Sequence, residues 1–198
     1  MKLFNRKLLK LDLGCGSSPK QGYIGIDNFY RSKNVIKKDV LLYLKKLPNN
    51  CVKEIYSRHF FEHLDYKYIK ALLHQINRVL INGGLISVTV PHYSNPFFFS
   101  DPTHKTFWGV HSFSYICEET CLKRNVPKYI SIKGWSLIGV KIKFVPMKNI
   151  KLFGVRIPSL CLILNLIINL NTLLIEYYER YFASLFSIYE IEFLIIKK

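Results

Sequence analysis

A chain of 198 residues is one domain's length, with enough material for a core of its own. Its modest charged fraction (21%) and high aromatic fraction (15%) exclude a disordered chain. Lys and Arg number 29 against 13 acids, a formal net charge of +16. That balance favours anionic neighbours (nucleic acid, an anionic membrane, acidic substrates), although the lysines are scattered rather than gathered into one patch.

Taken in order, Leu8 to Leu13 reads as a first buried strand and Tyr23 to Asp27 as a second. The stretch between Gly14 and Tyr23 is shorter than the ten or more residues of a full crossover helix, so the first helix is reduced to a turn. Val35 to Lys38 is a short third strand closed by Asp39. Val40 to Lys46 is a brief helix stopped by Pro48, and Val52 to Ser57 is a fourth strand. Tyr66 to Ile81 has the clearest helical period, through Ile69, Leu72, Leu73, Ile76, Val79 and Leu80, with Asn82-Gly83-Gly84 as its glycine cap. Leu85 to Val90 is a fifth strand, cut by Pro91. Residues 91–111 form a long loop rich in aromatics, His and Pro. Ser112 to Lys123 reads as helical, and Tyr129 to Lys133 and Leu137 to Phe144 as two strands. An apolar helix spans Ser159 to Phe186, and a last strand Ile188 to Ile196. Strands alternating with helices predict one open α/β sheet, mostly parallel, over 1–198.

The five cysteines (Cys15, Cys51, Cys117, Cys121, Cys161) are odd in number and lack paired zinc spacing, which fits reduced thiols in a cytoplasm. The first residues lack the apolar core of a signal peptide.

The most informative stretch is Lys10 to Asn28. One apolar run ends in Asp12-Leu-Gly14-Cys15-Gly16, and the next ends in Asp27. Glycines let backbone pass close to a ligand, and an acid at the tip of the second strand can hold ribose hydroxyls. That is the layout an adenosine cofactor needs. A nicotinamide site would place a third glycine where Pro19 stands and open a full helix toward a diphosphate.

Leu11-Asp-Leu-Gly-Cys-Gly16, Gly25-Ile-Asp27, the segment Glu54 to Leu64 and the segment Asn77 to Leu85 resemble, in order and spacing, successive motifs of the class I S-adenosylmethionine-dependent methyltransferases. The resemblance covers residues 8–92 strongly. Val90-Pro-His-Tyr-Ser94 with Asp101-Pro-Thr-His104 is similar to a bacterial subgroup associated with surface-polysaccharide and other glycan pathways. The resemblance implies a Rossmann-like seven-stranded sheet of order 3-2-1-4-5-7-6 with an antiparallel last strand. It also implies S-adenosyl-L-methionine as cofactor and methyl transfer as the reaction. The short first crossover and Ser18 in place of a third glycine depart from the common pattern.

The expected cofactor contacts are Asp12, Gly14, Cys15, Gly16, Asp27, Asn28, Asp39, Val40 and Ser57. Asp27 faces the ribose. Asp39 either meets the adenine amine, as the resemblance implies, or caps the helix that follows. A general base suits a sugar hydroxyl; the candidates are His92 and His104, with Asp101 as orienter, and then His59. His59, Glu62 and His63 have the spacing of metal ligands on one helical turn, but no metal is assigned. The loop 91–111 reads as an acceptor lid or as an aromatic plug over the sheet end.

In the apolar helix, Asn165, Asn169, Thr172 and Glu176 make one narrow polar stripe. Its remaining surface needs a cover: core, a twin subunit, or lipid from an inner membrane face. The expected function is methyl transfer to a small acceptor, a hydroxyl of a sugar or glycan precursor. The rivals are a nucleic-acid methyltransferase or binder, disfavoured because no Asn-Pro-Pro-Tyr-type segment follows the fourth strand, and a non-catalytic cofactor-binding, membrane-associated protein.

Overall fold

The computed structural model describes residues 8–144, 150–152, 155–157 and 160–198. Its strands are β1 (Leu9–Leu13), β2 (Ile24–Asp27), β3 (Val35–Lys37), β4 (Val52–Arg58), β5 (Leu80–Pro91), β6 (Cys117–Thr120), β7 (Ile132–Phe144), β8 (Ile150–Leu152), β9 (Val155–Ile157) and β10 (Ile188–Lys197). The helices are α1 (Val40–Lys46), α2 (Tyr66–Val79), α3 (Leu160–Ile168) and α4 (Thr172–Tyr181). Only turns join β1 to β2, as the short spacing predicts.

One sheet runs β3-β2-β1-β4-β5-β10-β7-β6, and β8-β9 is a separate hairpin. All neighbours in the large sheet are parallel except β10, which is antiparallel to both β5 and β7. The expected seven-strand order occupies the first seven places, and an eighth strand, β6, corrects the count. That strand falls inside the stretch read as a helix. Only a four-residue turn of 3-10 helix, Ser112–Tyr115, forms there before Cys117 pairs with Ile132. A short, charged strand at a sheet edge carries little apolar signal.

Helix α2 forms because Asp65 caps it, accepting from the Tyr68 N–H at 2.8 Å, and because Ile69, Leu72, Leu73, Ile76 and Val79 share one buried face. Each such side chain contributes about 1.5–3 kcal/mol on burial. The helix stops at Val79, before the predicted glycine cap. Leu80 is already extended, and Asn82-Gly83-Gly84 lies inside β5, where the register against β4 slips and Gly83 has φ +77°. The two strands predicted around Gly134 are one, since Gly134 (φ +81°) lies within β7.

The predicted helix over 159–186 is two helices, broken before Asn171, whose side chain caps α4 by accepting from the Leu174 N–H at 2.9 Å. Residues 158–159 lie outside the described residues. The polar stripe points inward. Asn169 accepts from the Ile142 N–H (2.9 Å) and donates to the Ile142 carbonyl (2.8 Å), and Asn165 accepts from the Phe144 N–H (3.1 Å). Glu176 accepts from the N–H groups of Lys123 and Arg124. Asn165 and Asn169 thus satisfy backbone on the part of β7 that β6 does not reach, and Glu176 satisfies backbone in the segment after β6. The apolar side therefore faces out. Leu166, Leu170 and Leu185 are 67%, 74% and 70% exposed, and Leu162, Ile167, Leu173 and Tyr177 are exposed beside them. Of the three covers expected for this surface, core takes only part: Ile175, Tyr178 and Ala183 are buried, and among the described residues the leucines named above stay exposed. Among the described residues no helix is long and apolar enough to cross a membrane.

Candidate cofactor site

The parallel register sets Leu13 level with Ile26 of β2 and Ser57 of β4. Gly14, Asp27 and Arg58 therefore emerge at the same edge of the sheet, the carboxyl edge where open α/β sheets bind ligands. Gly14 (φ +66°) donates its N–H to the Ile26 carbonyl at 2.9 Å. A Cβ on Gly14 would stand 2.3 Å from the Phe60 ring, so the ring's approach itself demands glycine. Gly16 (φ +60°) has no such neighbour: nothing lies within 4 Å of where its Cβ would be.

Asp27 binds the turn to the strand tip. Its Oδ2 accepts from the Gly16 N–H at 2.8 Å, and its Oδ1 accepts from the N–H groups of Phe29 (2.8 Å) and Tyr30 (3.2 Å). A carboxylate accepts about four hydrogen bonds, so roughly one remains for a ligand hydroxyl. Asp12 is buried and accepts from the Lys20 N–H at 2.8 Å, which secures the turns that replace the first helix. Burial pushes the Asp12 carboxyl above its ordinary value, and the Lys20 amide and charge partly offset this.

A cavity of about 340 Å³ opens at this edge. Asp12 of β1 and Cys15, Ser18 and Lys20 of the β1–β2 connection line it on one side, and Tyr56 and Arg58 of β4 with His59 just after it line the other. Burial, helped by Asp12 and Asp27, pushes the Cys15 thiol up to about 11, so it is protonated at neutral pH. The Lys20 ammonium lies over the rings of Tyr56 (4.3 Å) and Tyr23 (4.8 Å).

His59 sits in a left-handed backbone conformation (φ +54°), which costs of order 1–3 kcal/mol in a non-glycine residue. Two carboxylates hold it there: Nε2 meets Glu190 Oε1 at 2.9 Å and Nδ1 meets Glu62 Oε1 at 3.2 Å. Glu190 and then Glu62 raise the imidazole to about 9, against a smaller opposing effect of burial. Glu190 is buried, which would raise its carboxyl; the bonds from His59 and Arg58 (2.7 Å) outweigh this and hold it at about 2.

Solved structures share this architecture. A methyltransferase dependent on S-adenosylmethionine, from Archaeoglobus fulgidus, superposes with a TM-score of 0.60 at 22% identity, over 98% of this chain and 87% of the other. The complex of the Haloferax volcanii Trm112 methyltransferase activator with a methyltransferase gives 0.53 at 12% identity, over 96% and 81%. The chain has the S-adenosylmethionine-dependent methyltransferase fold. The [4+2]-cyclase SpnF is also similar (TM-score 0.51, 13% identity, 96% and 75% coverage), so the chemistry has to be argued from the site. No protein-family model and no curated protein matches the sequence.

Within this methyltransferase fold the expected site residues separate into groups. Asp12 and Cys15 line the cavity, Gly14 and Gly16 shape the turn beside it, and Asp27 and the exposed Asn28 stand at the neighbouring tip. Asp39 is a helix cap: Oδ1 accepts from the Leu42 N–H at 2.8 Å, and Oδ2 accepts from the Tyr68 hydroxyl at 2.7 Å. Val40 is buried in the core. Ser57 departs from expectation, because it is fully buried and donates to the Leu13 carbonyl at 3.0 Å, joining β4 to β1.

The histidines do not converge on the cofactor cavity. Only His59 lines the cavity, and there it is a cation whose nitrogens both donate, so it cannot accept a proton at neutral pH. His92 is fully buried: its Nε2 meets Glu179 at 2.9 Å, and its Nδ1 accepts from the Ser94 N–H at 3.1 Å. His104 donates from Nδ1 to the Phe98 carbonyl at 2.8 Å, and Asp101 stands 3.7 Å from its Nε2, too far to orient it. His59, Glu62 and His63 do not share a helical turn, since a short 3-10 turn starts only at Phe61.

Sequence reasoning missed Lys20, Tyr56, Glu179 and Glu190. Alternation in β10 sets Glu190 on the side of Glu192 and the exposed Leu194, opposite the fully buried Ile191, Phe193 and Ile195; Arg58 and His59, distant in sequence, bond to Glu190 in its buried position.

Part of the loop after β5 packs into the body of the domain as an aromatic plug, and part of it stays outside. Phe98 and Trp108 are buried, Trp108 stacking on Phe113 at 5.4 Å, while Tyr93, Phe97, Phe99 and Phe107 remain exposed. A larger hollow of about 630 Å³ lies between α4 and the segment after β6, and shares no residue with the cofactor cavity.

Proposed function

We propose that this protein is an S-adenosylmethionine-dependent methyltransferase acting on a hydroxyl of a sugar or glycan precursor. The observation that carries the reading is the cavity between the β1–β2 connection and the end of β4, which one buried acid, Asp12, lines together with three cations, Lys20, Arg58 and His59. An amino acid's ammonium and carboxylate need such a pair of opposite charges. The open space at Gly16 and the remaining acceptor capacity of Asp27 suit the adenosine side. When bound, the cofactor supplies a methyl already activated by its sulfonium. The chain's own contribution is position and charge, and alignment of two reactants supplies roughly 7–11 kcal/mol of barrier reduction. The exposed rings of Tyr93, Phe97, Phe99 and Phe107 offer stacking faces to a sugar.

Calorimetry with S-adenosylhomocysteine tests the cofactor half. The wild type binds, and Asp12→Asn, which keeps an acceptor for the Lys20 amide, binds at least tenfold more weakly. Absence of wild-type binding, or equal affinity in the variant, refutes it. Mass spectrometry of nucleotide-sugar and glycan-precursor mixtures incubated with the cofactor tests the acceptor. Methylation of nucleic acid instead would overturn the acceptor class.

The outward apolar face of α3 and α4 belongs against an anionic membrane surface. Its leucines and tyrosines bury into lipid, and the net charge of +16 attracts acidic headgroups while opposing self-association. Sedimentation with phosphatidylglycerol vesicles tests this: the chain co-sediments, and Leu166→Ser with Leu170→Ser stays in solution. Equal behaviour of both, or a stable dimer without lipid, refutes it.

A further inference from the structure

We propose that Glu62, His63 and His104 form a site for a divalent transition-metal ion of the zinc class, which pins the 91–111 loop to the turn after β4. One donor atom on each of the three lies within 4.8 Å of one on each of the others. His104 comes from the loop, and Glu62 and His63 come from the 3-10 turn Phe61–His63.

The hydrogen bonds leave both histidines ready to ligate. The His104 Nδ1 faces the Phe98 carbonyl at 2.8 Å; a carbonyl only accepts, so Nδ1 carries the proton. The His63 Nδ1 lies 2.8 Å from the Thr103 hydroxyl, whose own proton goes to Asp101 at 2.6 Å, so this nitrogen also donates. Each imidazole therefore presents a bare Nε2. A ring anchored through its other N–H to a carbonyl or hydroxyl is the arrangement that orients metal-binding histidines.

Glu62 supplies the independent observation. It is fully buried, its Oε1 is taken by His59, and its Oε2 has no hydrogen-bond partner among the described residues. An orphaned carboxylate oxygen in a buried position is costly unless something charged completes it. Two imidazoles and one carboxylate select a borderline ion such as zinc over magnesium, which keeps to oxygen. Tetrahedral bonds of about 2.0–2.1 Å bring donors to roughly 3.4 Å apart, so the set closes by a side-chain adjustment. His63 is only half-buried, which leaves a side open for water as a fourth ligand. His59 has no part in the set, because both its nitrogens are engaged by carboxylates.

The test needs no cofactor and so fails independently of the methyltransferase reading. Calorimetry of the purified, metal-stripped full chain with zinc chloride gives one equivalent per chain. Magnesium chloride gives no heat. His104→Ala and Glu62→Gln each weaken zinc binding at least tenfold, while His74→Ala, an exposed histidine on α2, leaves it unchanged. Should the site variants fail to fold, cobalt(II) absorption of the wild type decides: weak visible bands support nitrogen and oxygen ligands. Intense near-ultraviolet thiolate bands would assign the ion to cysteines and overturn the proposal. So would no zinc binding, equal magnesium binding, or undiminished binding in a folded His104→Ala.

Discussion

Glu190→Gln isolates the charge at the centre of the site. The substitution keeps size and one acceptor, and removes only the carboxylate that receives Arg58 at 2.7 Å and His59 at 2.9 Å. Its carboxyl is held at about 2 against an ordinary 4.5. At about 1.4 kcal/mol per tenfold change in proton affinity, the ionised form contributes on the order of 3 kcal/mol. The raised value of His59 is the same interaction seen from the other partner, so the two are not summed. Because Arg58 is half-exposed, water recovers part of the loss, and the expected deficit at pH 6 is about 1.5–3 kcal/mol. A folded value below the unfolded one means the contribution is complete above the ordinary carboxyl range and is lost as pH falls through it toward 2. Urea unfolding of both proteins at pH 6 and at pH 3.5 should therefore show a deficit that shrinks in acid. A deficit under about 0.5 kcal/mol at pH 6, or one that does not change with pH, would refute the reasoning.

Gly14→Ala meets the Phe60 ring at 2.3 Å and strains φ, whereas Gly16→Ala meets nothing within 4 Å and carries only the backbone cost of about 1–2 kcal/mol. Thermal unfolding should show a far larger loss for Gly14→Ala. Asn169→Ala strands the Ile142 N–H and carbonyl and should cost about 1–3 kcal/mol in urea unfolding, whereas Leu170→Ala on the exposed side should cost little. Ser57→Ala removes the bond to Leu13 and should lower stability by roughly 1 kcal/mol with cofactor affinity unchanged by calorimetry; a large loss of affinity would restore Ser57 as a ligand.

What could be read from the chain alone was whatever local spacing encodes. The helical period of Ile69 to Val79, the Asp39 cap, the missing crossover after Gly16, and the glycine turn and acid at neighbouring strand tips all depend on residues near one another in sequence. The polar stripe of Asn165, Asn169, Thr172 and Glu176 was visible too, but its direction was not: only the unpaired backbone of β7 decides that the stripe turns inward and the apolar side outward. The histidines show the same division. Spacing marked His59, His92 and His104 as reactive, yet their hydrogen-bond partners are Glu190 and Glu179 on distant elements and the Phe98 carbonyl. A side chain's charge and freedom are set by what the whole fold brings within about 3 Å of it, and no local pattern carries that distance.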